Sequence, residues 1–243
     1  MNYNTVNYYS IPFLFYANDI YDDKAIFDKD ESHHCIKVLR NKAGNKIWFT
    51  NGKGYLYEGI IVSDNPQQCI VQIISFVRQI TSKVKLTLAV SLIKNNSRYE
   101  WFLEKVAELG IYSIQPLICE RTYKLNFKKE RAERIILSAM KQSLNTILSK
   151  IQEPLLFNEF CDRCESQQKF IAFYNKNNLH LQLSMKRNID TVIAIGPEGD
   201  FSDKEIKMAL NKGFVPVNLG NSRLRSETAA IVSGVIFNSV NNI

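Results

Sequence analysis

Residues 195–230 read IGPEGDFSDKEIKMALNKGFVPVNLGNSRLRSETAA, and this stretch is the part of the sequence that is most informative about the fold. Two short apolar runs, at 192–195 and 215–219, each lead directly into a glycine turn, GPEG and LGN. The first run is β-branched and uncharged, which is typical of a strand buried on both faces of a parallel sheet. Because open α/β sheets bind ligands at the carboxyl ends of their strands, the two turns predict a ligand site.

Each glycine turn is followed by a predicted helix. Ser202 and Glu205 form a capping box, in which the hydroxyl and the carboxylate each accept a hydrogen bond from a backbone amide at the helix start. Gly213 stands where that helix should end, because glycine readily adopts the left-handed conformation of a C-terminal cap. The last helix is predicted over 227–240. Its small residues would permit close approach of a ligand or a partner subunit, and they are Ala229, Ala230, Ser233 and Gly234.

The chain divides into a β-rich part and an α/β part, with a predicted boundary near residues 76–84. Before this boundary, strands are predicted at 46–50, 54–62 and 69–76, separated by Asn-Gly and Asn-Pro turn signals. After it, strands at 86–93, 113–118 and 170–174 alternate with helices at 97–109 and 128–149 and with a basic helical stretch that ends at residue 187. Alternating elements of this kind predict an α/β sheet with parallel strands.

Composition favours a polyanionic partner without requiring one. The chain has 243 residues, and 31 Lys+Arg against 24 Asp+Glu give a formal net charge of +7. No apolar run approaches the ~20 residues of a membrane span, and the N-terminus lacks a basic region followed by an apolar segment. The odd number of cysteines, five, favours a reducing compartment over a disulfide framework. We therefore expect a soluble cytoplasmic protein with no membrane partner.

Two short clusters invite a metal interpretation that the pattern does not favour. Cys161 and Cys164 form the only C-x-x-C pair, whereas a structural zinc ion needs four ligands. His33, His34 and Cys35 are consecutive, and on a strand such neighbours would point to opposite faces. We therefore expect no metal site.

Three parts of the chain resemble one protein family. The GPEG and LGxxxLRxET elements stand at 196–199 and 219–228. Upstream lie SLIK at 91–94, Arg98, EW at 100–101, Lys105, ELG at 108–110, QPLI at 115–118 and ERT at 120–122. Near the N-terminus lie HHCIKVLR at 33–40, Gly44 and NGKG at 51–54. Together they resemble the ribosomal small-subunit methyltransferase E family of SPOUT methyltransferases over nearly the whole chain.

This resemblance implies an α/β fold in two domains. Residues 1–76 would form a small β-rich, PUA-like β-barrel that binds RNA, and residues 77–243 would form a SPOUT methyltransferase domain with a parallel sheet. In this family the C-terminal segment is threaded through a loop to give a deep trefoil knot, a feature that is exceptional in proteins. The resemblance also implies S-adenosylmethionine as cofactor, a homodimer, and methylation of N3 of one specific uridine in the 16S rRNA of the small ribosomal subunit.

The resemblance places the cofactor in the knot loops, where the matching residues are Ile195, Gly196, Glu198, Gly199, Leu219, Gly220 and Leu224. Chemistry at uridine N3 needs a positioned methyl donor, an acceptor for the N3 proton, and stabilisation of charge on the O2 and O4 oxygens. We expect Arg225 to stabilise that charge and either Glu198 or Glu227 to accept the proton. In the alternative, a salt bridge between Arg225 and Glu227 only holds the loop.

The target base lies within folded rRNA, so the enzyme must expose or flip it, and cations should contact phosphate groups. The candidate RNA-binding cations are Arg40, Lys42 and Lys53 in the N-terminal module and Lys94, Arg98, Arg121 and Arg223 in the catalytic domain. An N-terminal aromatic cluster could stack on bases, although such a cluster is more typical of a domain core. It comprises Tyr8, Tyr9, Phe13, Phe15 and Tyr16.

Two departures from the family pattern and two rival functions stay open. Asp200 replaces the last glycine of GPEGG, and SAMKQSLN at 138–145 lacks both acids and the arginine of the family's E-A-x-E-Q-S-x-R run. The chain could instead be a SPOUT methyltransferase that acts on tRNA or another RNA, or a noncatalytic RNA-binding or ribosome assembly factor. A nicotinamide or nucleoside triphosphate enzyme is a weaker alternative, because neither G-x-G-x-x-G nor G-x-x-x-x-G-K-[ST] follows a strand.

Overall fold

The computed structural model describes residues 11–79, 84–123 and 126–243, and the chain separates into two compact units. The first unit comprises the described residues before 80 together with Met140–Leu148. The second unit comprises the remaining described residues, on either side of that insertion. Residues 140–148 fall within the predicted second domain, whereas in the structure this segment packs with the first unit.

The first unit is built on a six-stranded sheet with the order β1-β4-β5-β6-β3-β2. Only β1 and β4 run parallel within it. Its strands are β1 Leu14–Tyr16, β2 Asp19–Tyr21, β3 Lys24–Ile26, β4 Lys46–Thr50, β5 Tyr55–Ser63 and β6 Ile70–Arg78. A short helix, α1 (Lys29–His33), and a π-helix (His34–Val38) follow β3. The three strands predicted at 46–76 are confirmed.

Aromatic side chains fill the core of the first unit. Phe15, Phe27 and Phe49 are all buried there, and the rings of Phe15 and Phe27 stack with centroids 5.6 Å apart. Phe15 is therefore a core residue, while Phe13 is 52% exposed. Tyr16, at the end of β1, is half-buried, and the remaining members of the predicted N-terminal cluster, Tyr8 and Tyr9, lie outside the described residues.

His33, His34 and Cys35 do not lie on a strand, so that expectation is wrong. Asp28 caps α1 by accepting a hydrogen bond from the Glu31 amide at 2.8 Å, and the helical path continues through all three residues. Cys35 points into the core with no exposed surface. Across the described ranges, no group of three or more His, Cys, Asp and Glu side chains could hold a metal ion.

The second unit is built on an eight-stranded sheet in which every pairing is parallel. The order is β10-β8-β7-β13-β11-β14-β12, with β9 paired to β8. The strands are β7 Leu86–Ser91, β8 Ser113–Ile118, β9 Lys150–Ile151, β10 Leu155–Leu156, β11 Gln168–Ala172, β12 Leu179–His180, β13 Thr191–Ile195 and β14 Val215–Asn218. The helices are α2 Asn96–Glu108, α3 Lys129–Gln142, α4 Phe157–Arg163, α5 Leu181–Ser184, α6 Asp203–Asn211 and α7 Ser226–Asn241. The predicted parallel α/β sheet is confirmed.

Local signals around the two glycine turns are also confirmed. Both hydrogen bonds of the Ser202–Glu205 capping box are present at the start of α6. Gly213 follows the end of α6 with a φ of +82°, the left-handed conformation expected there. β13 is buried at all five positions, as its β-branched composition predicts.

The helix predicted over 128–149 ends earlier, at Gln142. Leu144 has a φ of +56°, and the Asn145 amide donates to the Met140 carbonyl, so the chain leaves the helical path there. The Thr146 carbonyl then accepts from the Gly54 amide at 2.8 Å, and the Leu148 amide donates to the Gly52 carbonyl at 2.9 Å. These hydrogen bonds lie within the first unit and join residues far apart in sequence. They take the place of the last turns of the predicted helix.

Candidate active site

A cavity of about 790 Å³ opens at the carboxyl ends of β11, β13 and β14. Because these strands are parallel neighbours, the segments that follow them meet at one edge of the sheet. The segment after β13 is the first glycine turn, and the segment after β14 is the second. The lining residues are Arg121, Ala172, Phe173, Tyr174, Asn175, Ile195, Gly196, Pro197, Glu198, Gly199, Asp200, Phe201, Asp203, Ile206, Asn218, Leu219, Gly220, Ser222, Arg223, Leu224, Arg225, Ser226 and Ala229.

The first glycine turn is held by close packing on Phe201. A Cβ at Gly196 would lie 3.1 Å from both the ring and the backbone nitrogen of Phe201, so a larger residue would displace the turn. Phe201 is itself buried, with its ring centroid 4.9 Å from that of Phe157. The Asp200 amide closes the turn by donating to the Pro197 carbonyl at 2.9 Å. The turn is therefore anchored in the core of the second unit.

The second glycine turn requires Gly220 because of its backbone conformation, and not because a side chain would lack space. Gly220 has a φ of +135°, a conformation that residues with a side chain rarely adopt, and no atom lies within 4 Å of a Cβ built on it. The Gly220 amide donates to the Asn218 side chain at 3.3 Å, which ties the turn to the end of β14. The turn therefore exposes backbone to the cavity without a side chain in the way.

Arg225 lines the cavity with an exposed side chain that has no ion-pair partner within the described part of the chain. It occupies the N-cap position of α7, although its side chain makes no capping hydrogen bond. Glu227 is buried, and its carboxylate pairs with Arg98 at 3.8 Å instead of with Arg225. The alternative salt bridge between Arg225 and Glu227 is therefore not the arrangement observed.

Of the two predicted proton acceptors, only Glu198 lines the cavity. Its side chain is exposed, and one carboxylate oxygen accepts a hydrogen bond from the Lys94 amide at 2.9 Å. Glu227 is buried in the first turn of α7 and is not among the lining residues. Glu198 thus combines a fixed orientation with access to the cavity.

Asp200 also lines the cavity. It is not among the predicted site residues, although it departs from the family pattern. Its φ of +62° is left-handed, which explains why a glycine suits this position and why aspartate, one of the residues that tolerate this conformation, can replace it. Burial raises the pKa of its carboxyl, while a hydrogen bond from the Phe201 amide and the charges of Arg121 and Arg223 act in the opposite direction. Its presence places an additional carboxylate at the first turn.

The raised pKa of Asp200 makes stability depend on pH. Because the folded carboxyl keeps its proton to a higher pH than the unfolded chain does, the free energy of unfolding falls as pH rises through the interval between the two pKa values. Asp200→Asn should therefore be more stable than the wild type at neutral pH and should lose this advantage below about pH 4. Urea unfolding at both pH values measures this.

Asp22→Asn is a matched control for this substitution. Asp22 also has a left-handed backbone, with a φ of +51°, but its side chain is exposed. The Asp22→Asn variant therefore measures any preference of asparagine for this backbone conformation without an effect of burial. An equal gain in the two variants at neutral pH would refute the contribution of burial at Asp200.

The cations in the cavity differ in what they contact. The Arg121 guanidinium donates to the Gly199 carbonyl at 2.8 Å, so it braces the first turn. Arg223 lies over the ring of Tyr174, 5.5 Å from its centroid, and that tyrosine also donates to the Asn221 carbonyl at 3.4 Å. Arg223 is exposed and has no carboxylate partner among the described residues. Arg121 therefore holds the first turn through a hydrogen bond, whereas the contact of Arg223 is with the ring of Tyr174.

The other predicted RNA-binding cations are distributed over both units. In the first unit, Arg40, Lys42 and Lys53 are exposed, and no ion pair involves them among the described residues. In the second unit, the Lys94 ammonium lies 4.4 Å from the ring centroid of Tyr123. Arg98 forms the ion pair with Glu227 that is described above.

The small residues of α7 pack mostly inside their own unit. Ser233 is fully buried, and a Cβ at Gly234 would come within 3.3 Å of Ile111 and 3.4 Å of Leu109. Ala229 alone among these small residues lines the cavity. Close approach of a ligand is thus supported at Ala229, whereas the rest of this face is occupied by the chain itself.

The cavity residues at the end of β11 are not among the predicted site residues. Phe173, Tyr174 and Asn175 follow this strand directly. Their position at the end of a predicted strand is a signal for them, but nothing in the sequence indicates that β11 lies between β13 and β14.

Comparison with known protein families agrees with this architecture. The model of an RNA methyltransferase domain matches residues 81–238, and the model of an RNA methyltransferase PUA domain matches residues 27–74. The fold and the two matches define a methyltransferase of the RNA-modifying class. None of the described helices is long and apolar enough to cross a membrane.

Individual relatives show which family of RNA methyltransferases the chain resembles. The ribosomal RNA small subunit methyltransferase E of Mesomycoplasma hyopneumoniae is 30% identical, over 90% of this chain and 96% of its own length. A Porphyromonas gingivalis structure, described as a probable rRNA methyltransferase, is 33% identical with a TM-score of 0.86, over 95% of this chain and 98% of its own. A Legionella pneumophila structure with bound S-adenosylmethionine is 27% identical with a TM-score of 0.84, over 94% and 97% of the two chains. The chain belongs to the ribosomal RNA small subunit methyltransferase E family.

Proposed function

We propose that this protein transfers a methyl group from S-adenosylmethionine to N3 of one specific uridine in 16S rRNA. The observation that carries this proposal is the convergence of both glycine turns and an unpaired Arg225 on one cavity at the carboxyl edge of a parallel sheet. The name of the Mesomycoplasma relative supports the small-subunit rRNA as substrate. The Legionella structure supports the cofactor.

The cavity has the features that S-adenosylmethionine requires. Backbone at Gly220 is open, and Ile195, Leu219 and Leu224 give apolar walls against which an adenine can lie. Backbone N–H and C=O groups of the two turns can hydrogen-bond the base edge. When bound, the cofactor supplies an electrophilic methyl group on a sulfonium. The seven residues predicted for cofactor binding all line this cavity, and Glu198 and Gly199 lie on its open side.

The chain's own groups then act on the uracil. Arg225 donates hydrogen bonds to the oxygen atoms on which negative charge develops as N3 loses its proton. Glu198 accepts that proton, since it lines the cavity and the Lys94 amide holds its carboxylate. Glu227 is a positioning residue in this scheme, because it is buried against Arg98 at the start of α7.

Exposed cations without carboxylate partners are the groups best suited to contact phosphates. We include Arg40, Lys42, Lys53, Lys94 and Arg223 in this set. Arg121 contributes through the first glycine turn that it braces, and Arg98 contributes through its ion pair with Glu227 at the start of α7. Neutralising several phosphates should make RNA affinity fall steeply with salt concentration.

The function is tested by methyl transfer from labelled S-adenosylmethionine to small ribosomal subunits that lack the modification. Nuclease digestion and mass spectrometry should find 3-methyluridine at a single site of 16S rRNA. Transfer to tRNA or to another rRNA position would replace the proposed substrate. Failure to bind S-adenosylhomocysteine in calorimetry, with RNA binding retained, would favour the noncatalytic assembly factor.

We further propose that the protein is a cytoplasmic homodimer with the deep trefoil knot that its resemblance to SPOUT enzymes implies. Trp101 on α2 and Val235 on α7 are 46% and 48% exposed, and these two helices pack together. Each is an exposed apolar side chain that a partner subunit could cover. Trp101→Glu should convert dimer to monomer in light scattering after size exclusion. A monomeric wild type would contradict the dimer.

A further inference from the structure

A second cavity, of about 280 Å³, lies in the second unit where α2 and α3 begin. Its lining residues are all different from those of the cavity at the glycine turns. The walls are of mixed polarity. Leu92, Ile93, Leu103, Phe127 and Ile135 supply apolar surface, and polar or charged side chains supply much of the rest, namely Asn96, Ser97, Glu100, Asn126, Lys128 and Arg131. A base, which has apolar faces and polar edges, suits such a lining.

The hydroxyl of Tyr99 is buried at this cavity and has no hydrogen-bond partner among the described residues. Tyr99 is 6% exposed, and its ring packs edge-on against Phe102 and Phe127, with centroids 5.4 and 6.2 Å away. Burial raises the pKa of this hydroxyl, so it stays protonated and can donate as well as accept. Native proteins rarely leave a buried polar group unsatisfied. Because the hydroxyl has almost no exposed surface, a small rotation of the Tyr99 side chain toward a ligand in the cavity would be needed to supply the missing partner.

The rim of this cavity favours negative charge. Asn96 and Ser97 lie in the first turn of the 13-residue α2, and Lys128 directly precedes the 14-residue α3. Two helix starts thus border one opening, and the positive end of a helix dipole favours an anion nearby. The Lys128 side chain is exposed without an ion pair among the described residues.

The one carboxylate that lines this cavity does not offset the positive rim. Glu100 accepts two hydrogen bonds from Arg131, at 2.6 and 2.9 Å, so its charge is compensated. An anionic group at the helix starts is therefore not repelled by an unpaired carboxylate. The site combines walls of mixed polarity, a buried hydroxyl without a partner among the described residues, and an exposed lysine at its rim.

The two cavities are joined by one short loop. Ile93 lines the second cavity, and the amide of the next residue, Lys94, donates to Glu198 of the first. A strand of RNA whose target base lies at the first cavity would carry its neighbouring nucleotides past this loop. Unstacked bases that enter apolar pockets beside aromatic rings are a common form of single-stranded RNA recognition.

We propose that the second cavity binds a nucleotide of the RNA substrate other than the methylated one, with its base against Tyr99 and its phosphate at the starts of α2 and α3. This inference rests on the proposed function only in taking RNA as the ligand. It adds a recognition site that would help to select one uridine among many.

The test uses Tyr99→Phe, which removes the unpaired hydroxyl and keeps the ring. Affinity for an RNA fragment that spans the modified site, measured by fluorescence anisotropy, should fall about two- to tenfold, as for the loss of one hydrogen bond. Ala132→Leu fills the cavity from α3 and should reduce RNA affinity by a similar factor or more. Affinity for S-adenosylhomocysteine should be unchanged in both variants.

Tyr112→Phe is the matched control, because Tyr112 lines neither cavity and its hydroxyl already bonds Lys150 at 3.1 Å. It should bind RNA as the wild type does. Wild-type RNA affinity in a folded Tyr99→Phe would overturn the inference, whether or not Ala132→Leu folds. Binding of free uridine or adenosine monophosphate that depends on Tyr99, with RNA affinity unaffected, would assign the cavity to a free nucleotide and would also overturn it.

The outcomes for this site and for the proposed function can be distinguished. If the wild type binds no RNA, this inference and the proposed substrate both fail. If the wild type forms 3-methyluridine but Tyr99→Phe leaves RNA affinity unchanged, only this inference fails. If RNA affinity falls in Tyr99→Phe while the wild type transfers no methyl group, the binding site stands and the proposed activity fails.

Discussion

Arg225→Ala should lower kcat for methyl transfer about a hundredfold to a thousandfold, the range seen when one donor to a developing oxyanion is removed. The arginine lines the cavity and has no carboxylate partner among the described residues, so its charge is available to a substrate. Because its side chain makes no capping hydrogen bond to α7, alanine should leave the helix start intact. Single-turnover transfer from labelled S-adenosylmethionine measures the effect.

Two variants make the Arg225 result specific. Arg225→Lys keeps the charge but loses the planar, two-pronged donor, so its rate should fall between those of alanine and wild type. Arg187→Ala removes an exposed arginine that does not line the cavity and should leave kcat unchanged. Binding of S-adenosylhomocysteine should be nearly the same in all three. A normal kcat with a raised KM in Arg225→Ala would instead show that Arg225 only binds RNA.

Gly220→Ala should weaken binding of S-adenosylmethionine about five- to a hundredfold. The φ of +135° at Gly220 is one that a residue with a Cβ adopts only at a cost of roughly 1–3 kcal/mol, and the second turn would relax away from it. Since space around the Cβ is open, steric overlap is not the cause. Isothermal titration with S-adenosylhomocysteine measures the affinity directly.

Gly213→Ala is the control for backbone strain by itself. Gly213 also has a left-handed φ, +82°, with nothing within 4 Å of its built Cβ, but it ends α6 and does not line the cavity. It should lower the melting temperature without changing cofactor affinity. Equal losses of affinity in the two variants would mean that the effect comes from general destabilisation and not from the shape of the second turn.

Short-range features are predictable here because the residues that form them are neighbours in sequence. The Ser202–Glu205 capping box needs only residues three apart, and the buried strand at 191–195 needs only a run of β-branched side chains. The left-handed turn after α6 likewise follows from a glycine at one position. Each of these is confirmed.

The features that the sequence analysis misses or gets wrong depend on distant residues. The helix predicted to reach residue 149 stops at Gln142, because the following segment hydrogen-bonds Gly52 and Gly54 of the first unit. The partner of Glu227 is Arg98, more than a hundred positions away, and not its near neighbour Arg225. Hydrogen bonds and ion pairs of this kind leave no periodic pattern in the sequence.

The sequence by itself determined the class of fold, the family and the two turns that line the cavity, since these depend on local residue patterns and on motifs at a characteristic spacing. Only the tertiary structure decided which groups are free to act. It left Arg225 and Glu198 at the cavity, paired Glu227 with Arg98, and engaged Arg121 in a hydrogen bond to the Gly199 carbonyl. It also buried the Tyr99 hydroxyl without a partner among the described residues. The availability of a side chain depends on what surrounds it, and those surroundings come from residues that are remote along the chain.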